Sequence, residues 1–169
     1  GSCAAAAAKA ATLALLSGQA VDQVTIHLPV GRDVTFAVHR CEWLDGGGKV
    51  LCSVIKDGGD DPDVTHGAEI CATVSLDVAA KMGLRLLGGP GVGTVTRPGT
   101  GIGIGEPAIT RVPRRMITES VTQAASSVGR ESDAVFIVEV SVPNGEEIAK
   151  KTTNARLGRV GDSPIVGAG

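Results

Sequence analysis

The pattern of apolar and polar positions predicts a mixture of helices and strands that begins with an alanine-rich helix. Ser2 can cap a helix that continues over 3–16, and Gly18 is a suitable stop. Lys9 is the one charge in this segment, so we expect neighbouring elements to cover most of the helix. Its alanines favour the helix and let other backbones approach closely.

Alternating apolar and polar residues predict strands downstream of this helix. The segments 24–28 and 34–38 alternate on either side of a turn, as the two strands of a hairpin with one buried face do. The nearly continuous apolar run 50–55 and the alternating segment 69–76 predict two more strands, and 43–49 is expected to be a glycine-rich loop.

The second half of the chain has the same mixed character. We expect a loop at 88–93, a weak edge strand or an extended loop at 101–105, a helix at 113–127, a strand at 134–142 and a short helix at 146–157. Strands neighbour strands, with helices between the groups. The order therefore favours an α+β fold with a mixed sheet and packed helices over a doubly wound sheet.

The amino-acid composition limits the classes of partner that the protein can bind. The chain has 169 residues, a net charge of −2 and 43% hydrophobic residues, which is typical of one globular domain without a polybasic surface. Only three residues are aromatic, so base stacking on single-stranded nucleic acid is nearly excluded. The apolar run 3–16 is interrupted by Lys9 and is too short for a bilayer. We therefore expect neither a nucleic-acid partner nor a membrane.

The four cysteines have no CxxC spacing and no histidine at zinc-site spacing. We expect buried, reduced thiols in a cytoplasmic protein and no protein metal site.

An aspartate-rich segment at 56–67 holds four aspartates in seven residues, followed by His66. Three interpretations are open. A calcium loop fits poorly, because Gly59, Pro62 and Ala68 stand where an EF-hand needs its third, sixth and twelfth positions. His66 could instead be a base or proton relay tuned by the carboxylates. Alternatively, the carboxylates accept backbone N–H groups in Asx turns.

A glycine segment at 88–105 has two interpretations. Successive glycines can expose backbone N–H groups that bind anionic oxygens, and Arg97 could add a charged fork. No Gly-Lys-Ser/Thr follows, so this is not a Walker loop. The alternative is a set of tight turns between short strands.

Arg111, Arg114 and Arg115 cluster within five residues, next to the predicted helix start at Pro113. Arginines at a helix start oppose the helix dipole, which suggests a nearby anion. The alternative is a solvated basic turn.

Several blocks between residues 1 and 158, in order, are similar to one family. They are CAAAAAKAA at 3–11, SVIKDGGDDPDVTHG at 53–67, GGPGVGTVT at 88–96, EPAI at 106–109, PRRMI at 113–117, VPNGE at 142–146 and AKKTTNARLG at 149–158. Together they resemble the CbiD family, the cobalt-precorrin-5B (C1)-methyltransferases of anaerobic cobalamin synthesis.

The sequence also departs from the family pattern. Thr110-Arg111 stand where the family usually has Asn-Pro, and Gly58 replaces an alanine. Residues 159–169 do not match the family's usual continuation into a second α/β region. We therefore expect an N-terminal α+β domain at 1–158 and a non-matching tail at 159–169, in a truncated or engineered chain. A non-catalytic tetrapyrrole-binding or assembly module is the alternative to an enzyme.

The resemblance implies transfer of a methyl group from S-adenosylmethionine to carbon C1 of cobalt-precorrin-5B, with cobalt present only within the substrate. It also implies a fold like ribosomal protein S5 domain 2. The partner would be a small tetrapyrrole, with either a homo-oligomer or a missing C-terminal domain.

The resemblance supplies site residues as well. The catalytic candidates are His66, Asp61 and Asp63; the substrate-binding candidates are Asp57, Asp60, Arg97, Arg114 and Arg115; the cofactor-binding candidates are Gly89, Gly91, Gly93 and Thr94. We expect the aspartate-rich and glycine segments to meet in space as a cradle for the anionic macrocycle.

Overall fold

The computed structural model describes residues 1–57, 67–79, 83–130 and 135–144. Its elements are α1 (Ser2–Ser17), β1 (Gln23–His27), β2 (Asp33–Ala37), β3 (Arg40–Leu44), a short 3-10 turn (Asp45–Gly47), β4 (Lys49–Ile55), β5 (Glu69–Asp77), β6 (Gly83–Gly88), α2 (Arg111–Ser127) and β7 (Val135–Ser141). The expected α+β fold with a mixed sheet is confirmed. None of the helices in these ranges is long and apolar enough to cross a bilayer.

Five strands form the main sheet in the order β3-β4-β5-β7-β6. Neighbouring strands are antiparallel except for β6 and β7, which are parallel. A parallel pair needs a crossover, and α2 provides it between β6 and β7. The strands β1 and β2 form a separate antiparallel hairpin, in which Val24 pairs with Phe36.

One face of the sheet is apolar and carries the core. Alternate residues of β4, β5 and β7 are buried there: Val50, Cys52, Val54, Ile70, Ala72, Val74, Phe136, Val138 and Val140. Residues of the opposite face are mostly half-buried or exposed, among them Leu44, Ile55 and Leu87. The pleat therefore separates a face that packs on the helices from one that is more open.

Helix α1 packs on β4, β5, β1 and α2, and this position explains its alanines. Ala4 to Ala8 are at most 1% exposed, as are Ala10, Ala11 and Ala14. Lys9 donates from Nζ to the carbonyl oxygen of Thr25 at 2.7 Å, so the one charge of the helix is satisfied by the hairpin. Gly18 ends the helix with a left-handed φ of 74°. The predicted helix and its coverage are confirmed. The predicted cap at Ser2 is wrong, because Gly1 is the N-cap residue and Ser2 is the first residue of the helix, with no side-chain cap hydrogen bond.

The other sequence-based expectations had mixed outcomes. The hairpin, the strands β4, β5 and β7, and the helix α2 lie where they were predicted, and the segment 101–105 is a loop. The loop predicted at 43–49 is wrong at its start, because Trp43 and Leu44 belong to the edge strand β3. Strand β6 includes the residues 85–87 that were assigned to no strand. The helix predicted at 146–157 lies outside the described residues.

All four cysteines are among the described residues and are free thiols. Cys3, Cys52 and Cys71 are buried, as expected, whereas Cys41 is half-buried on the edge strand.

A larger side chain within α1 should destabilise the fold. We expect Ala7→Leu to lower the free energy of unfolding by about 1–3 kcal/mol, because Ala7 is fully buried and the added atoms have no space. Ala7→Ser is the control. Its hydroxyl can donate to the carbonyl four residues earlier, as Thr12 does to Ala8 at 2.8 Å. Urea denaturation measures both, and equal losses would contradict the close packing of α1.

Candidate functional site

The two segments with the strongest family resemblance leave the same edge of the main sheet. Strand β4 ends there, β5 begins there, and β7 and β6 both end there, because β4, β5 and β7 alternate in direction and β6 is parallel to β7. The ends of the aspartate-rich segment are held by a reciprocal contact in which Lys56 N donates to Ala68 O and Gly67 N donates to Lys56 O, both at 2.8 Å. Both described ends of the aspartate-rich segment therefore lie at this edge of the sheet.

The glycine segment is tied to the same edge through β7. Gly89 N donates to Val140 O at 2.8 Å, and Val142 N donates to Pro90 O at 2.7 Å. Asn144, just beyond β7, accepts through Oδ1 a hydrogen bond from Glu69 N at 3.3 Å, which links the end of β7 to the start of β5. The aspartate-rich and glycine segments thus start from one edge, with the end of β7 between them.

Both helices also begin at this edge. A Cβ added at Gly1 would lie 3.1 Å from Pro113 Cγ, so the first turns of α1 and α2 lie side by side. Lys56, which is 7% exposed, lies close enough to Cys3 for its charge to act on the thiol. Burial raises the pKa of Cys3, and the Lys56 ammonium opposes that rise. Two helix N-termini and the buried Lys56 side chain therefore lie together at this end of the molecule, and each favours a nearby anion.

The glycine segment passes close to the end of β7, and the backbone excludes a side chain at Gly91 but not at Gly89, where the end of the Glu139 side chain can move. A Cβ at Gly89 would lie 2.5 Å from Glu139 Oε1. Gly91 has a φ of 80°, and a Cβ there would overlap the Val142 carbonyl oxygen. Gly93 accepts a hydrogen bond from Ala108 N at 2.7 Å. These glycines have a structural role, and the Gly89 N–H is already used by the sheet.

Thr94 starts an irregular hairpin that returns to α2. It forms an isolated antiparallel bridge with Pro107, and Val95 N donates to Glu106 O at 2.9 Å. Between this hairpin and the first turn of α2 lies an open groove of about 810 Å³. The groove is lined by Thr100, Gly101, Ile102, Gly103, Glu106, Thr110, Arg111 and Arg114.

Among the predicted binding residues that the structure describes, Arg114 is the one that lines this groove. Its Nε donates to Ile109 O at 2.7 Å and its Nη2 donates to Pro107 O at 3.0 Å, so two carbonyls fix the guanidinium. Arg111 also lines the groove, three residues earlier on α2. In the sequence, Arg111 belongs to a basic cluster, and no role of its own was predicted for it. The signal in the sequence was the cluster itself, since three arginines near a helix start suggest a nearby anion.

The other predicted site residues are not in the groove or are not described. Arg97 is exposed on the hairpin and does not line the groove. Arg115 is exposed, with Nε 3.8 Å from Glu119 Oε1, and also lies outside it. Asp57 is exposed at the root of the aspartate-rich segment. The residues outside the described ranges are Asp60, Asp61, Asp63 and His66.

A polar network beside the aspartate-rich segment was not foreseen from the sequence. Arg40 on β3 donates from Nε to Glu69 Oε2 at 2.6 Å and from Nη2 to Glu69 Oε1 at 3.0 Å. Ser53 Oγ on β4 donates to Glu69 Oε2 at 2.7 Å. Burial raises the pKa of Glu69, but the hydrogen bonds from Arg40 and Ser53 outweigh this effect and hold the pKa below 4.5. The network joins three strands and fixes the first residue of β5.

In the ranges that the structure covers, no three His, Cys, Asp or Glu side chains come together as a metal-binding group.

The described features define an α+β protein with a basic groove near one edge of its sheet. The chain belongs to the CbiD family, whose sequence model matches residues 1–169. It is 52% identical over 167 residues to a cobalt-precorrin-5B C(1)-methyltransferase of Geobacillus sp. strain WCH70, and 53% identical over 167 residues to one of Salinispora arenicola strain CNS-205. These matches cover 99% of this chain but 44% and 42% of the two relatives.

A solved structure agrees with the fold. The 1.9 Å crystal structure of a cobalamin biosynthesis protein (cbiD) from Archaeoglobus fulgidus matches with a TM-score of 0.60 and 28% identity. The match covers 92% of this chain and 47% of that one. The chain therefore spans less than half the length of the relatives it matches.

A side chain added at Gly91 should destabilise the fold more than one added at a glycine that has a similar backbone conformation but no close neighbours. We expect Gly91→Ala to lower the free energy of unfolding by about 2–5 kcal/mol, from left-handed strain and overlap with Val142. Gly99, with a φ of 95° and no atom within 4 Å of an added Cβ, is the control. Gly99→Ala should cost only the strain, about 1–2 kcal/mol. Similar losses in thermal and urea unfolding would refute the proposed packing role of Gly91.

The Glu69 network should make stability depend on pH. Because the folded-state pKa of Glu69 lies below its ordinary value of 4.5, the network stabilises the fold above that pH and loses this effect as the pH falls through the folded-state pKa. Glu69→Gln should therefore cost about 1–3 kcal/mol at neutral pH and progressively less in acid. Glu42→Gln is the control, since its carboxylate is half-exposed and 3.5 Å from Arg40. Its cost should stay below about 1 kcal/mol. A Glu69→Gln cost that does not change with pH would contradict the assignment.

Proposed function

We propose that this chain forms part of the substrate site of a cobalt-precorrin-5B C(1)-methyltransferase, which converts cobalt-precorrin-5B to cobalt-precorrin-6A. The observation that carries the proposal is the common origin of the aspartate-rich and glycine segments at the sheet edge where α1 and α2 begin. The family membership and the names of the relatives support the same reaction.

Methyl transfer mainly requires that the reacting atoms be aligned. The macrocycle supplies the nucleophile, an electron pair at ring carbon C1, and S-adenosylmethionine supplies the methyl group. As the new carbon–carbon bond forms, the bond from methyl to sulfur breaks, and its electron pair leaves with S-adenosylhomocysteine. Cobalt arrives within the substrate. The protein has to hold carbon, methyl and sulfur in line and exclude water.

The electrostatics of the edge fit a polycarboxylate substrate. The macrocycle carries acetate and propionate side chains, and the N-termini of two helices together with the Arg114 guanidinium attract such groups. Asp57, Asp60, Arg97 and Arg115 complete the proposed substrate contacts. His66 with Asp61 and Asp63 would move protons around the ring.

The proposed S-adenosylmethionine contacts lie on the glycine segment. The proposed cofactor contacts are Gly89, Gly91, Gly93 and Thr94. Because the Gly89 N–H and the Gly93 carbonyl already have partners in the fold, Thr94 and the N–H groups of Gly91 and Gly93 are the better candidates. The part of the relatives that this chain does not span would supply the remainder of the site.

We also propose finer assignments for the fold and its context. A fold like ribosomal protein S5 domain 2 is supported by the parallel β6-α2-β7 unit within an otherwise antiparallel sheet. The division into a domain at 1–158 and a tail at 159–169 stays a prediction, as do a cytoplasmic location and a homo-oligomer.

A second candidate function is a tetrapyrrole-binding module without turnover. It is favoured by one observation, namely that the matched region is 42–44% of two full relatives. This module would bind the macrocycle through the same edge and leave methyl transfer to a partner region.

Methyl transfer can be tested directly. We expect the folded chain, incubated with cobalt-precorrin-5B and S-adenosylmethionine labelled in the methyl group, to give labelled cobalt-precorrin-6A. Binding of the macrocycle without label transfer would favour the module, and a folded sample that shows neither would refute both functions.

The double variant Asp61→Asn, His66→Ala should reduce binding or turnover more than stability.

The matched control is the double variant Asp33→Asn, His27→Ala. These two exposed residues of the β1–β2 hairpin are also an aspartate and a histidine, with Nδ1 and Oδ1 2.8 Å apart, and they have no proposed role. Equal effects of the two double variants on ligand binding would contradict a functional role for the aspartate-rich segment.

A further inference from the structure

We propose that the groove between the 94–107 hairpin and α2 binds one peripheral carboxylate of an anionic macrocycle through Arg111 and Arg114. The proposal rests on the proposed function for the identity of the macrocycle, but its chemistry is that of any polycarboxylate ring. It adds Arg111, which the sequence placed only in a basic cluster, and gives Arg114 a defined partner.

Arg114 is positioned before any ligand binds. The carbonyl oxygens of Ile109 and Pro107 accept from its Nε and Nη2, which holds the planar guanidinium in one orientation at the groove wall. Three of its five N–H groups meet no acceptor within the described part of the chain. A guanidinium held in this way loses little side-chain freedom when a carboxylate binds, which favours recognition by geometry as well as by charge.

Arg111 lies on the same face of α2 as Arg114. Residues three apart are neighbours on a helix surface, and both side chains line the groove. Among the described residues, no carboxylate forms an ion pair with either one. Two like charges at this spacing repel each other, and an anion between them would remove that repulsion.

The remaining lining sets the kind of anion. Glu106 adds one negative charge, so the charged side chains of the groove sum to +1, which one carboxylate neutralises and a polyphosphate would exceed. The half-buried side chain of Ile102 offers an apolar wall for a ring edge or a methylene stem. The combination of two arginines, one glutamate and an isoleucine fits a carboxylate carried on an apolar frame.

The test uses uroporphyrin, a stable macrocycle with eight carboxylates, whose fluorescence reports binding to the 169-residue chain. We expect Arg111→Gln to weaken binding about tenfold, the loss typical for a hydrogen bond to a charged group. Glu106→Gln should strengthen it several-fold, because it removes a repulsive charge. The matched control is Arg85→Gln, an exposed arginine on β6 that does not line the groove, which should bind as the parent does.

Arg114→Gln also removes the hydrogen bonds that hold residues 107–109, so a loss of binding in this variant has two explanations. Arg114→Lys is therefore measured as a second variant. Lysine keeps the charge but loses the bidentate fork, and binding should fall in both variants. Circular dichroism confirms that each variant is folded. Three results would overturn the proposal: no uroporphyrin binding by the parent, equal binding by Arg111→Gln and Arg85→Gln, or displacement of uroporphyrin by magnesium-ATP at lower concentration than by a tricarboxylate.

This experiment is independent of the methyl-transfer assay. Arg111-dependent binding without label transfer would leave the groove proposal standing and remove independent catalysis. If Arg111→Gln changes neither label transfer nor uroporphyrin binding, methyl transfer by this chain stands and the groove proposal is refuted.

Discussion

The close packing of helix α1 is the constraint on which the rest of the structure depends. Its alanines are buried all around, because the sheet, the hairpin and α2 each contact it. Such contacts are possible only when the side chains are small enough for backbones to come near. The same packing places the first turn of α1 beside that of α2, where Gly1 contacts Pro113. The helix that looks least functional by composition therefore determines where two positive helix ends lie.

A second set of close contacts orders the loops at the same edge. A side chain at Gly91 would collide with the backbone of Val142, just beyond β7, and one at Gly89 would have to displace the Glu139 carboxylate. This contact turns the chain away from the sheet and leads it into the 94–107 hairpin, which forms one wall of the groove. The glycines therefore act first through packing. An anion-binding role for the remaining N–H groups depends on that packing and does not replace it.

The helices and most strands could be predicted because their signals are local. The alternation at 24–28 indicates which face of one strand is buried. The alanine run at 3–16 indicates one helix. Strand β3 was partly missed because it is an edge strand whose residues are half-buried or exposed, so no alternation survives. Strand β6 begins and ends with glycine, residues depleted in strands, and its middle residues are partly exposed. Periodicity carries little information at the edges of a sheet.

Site prediction met a different limit. The Arg40–Glu69 network joins residues 29 positions apart on non-adjacent strands, and no spacing rule connects them. Arg97, Arg114 and Arg115 look alike in the sequence, yet only Arg114 is held by backbone carbonyls at a groove, while Arg115 faces Glu119. The chain path decides which arginine is rigid and directed into a cavity. Composition and motif can nominate basic residues, but the selection among them depends on the tertiary structure.

The distribution of charge at the edge has a consequence for how a substrate would be oriented. The basic groups lie beside the groove and at the helix starts, whereas the aspartate-rich segment is rooted across the end of β7 from the glycine segment. If the substrate is a polycarboxylate ring, as proposed above, the basic groups attract it and the negative charges of the aspartate-rich segment repel it. The proposed orientation therefore has the carboxylates toward α2 and a less acidic edge of the ring toward the aspartates. An asymmetric field of this kind favours one orientation of a ring that has many similar side chains, and a methyl transfer specific for one ring carbon requires that selection.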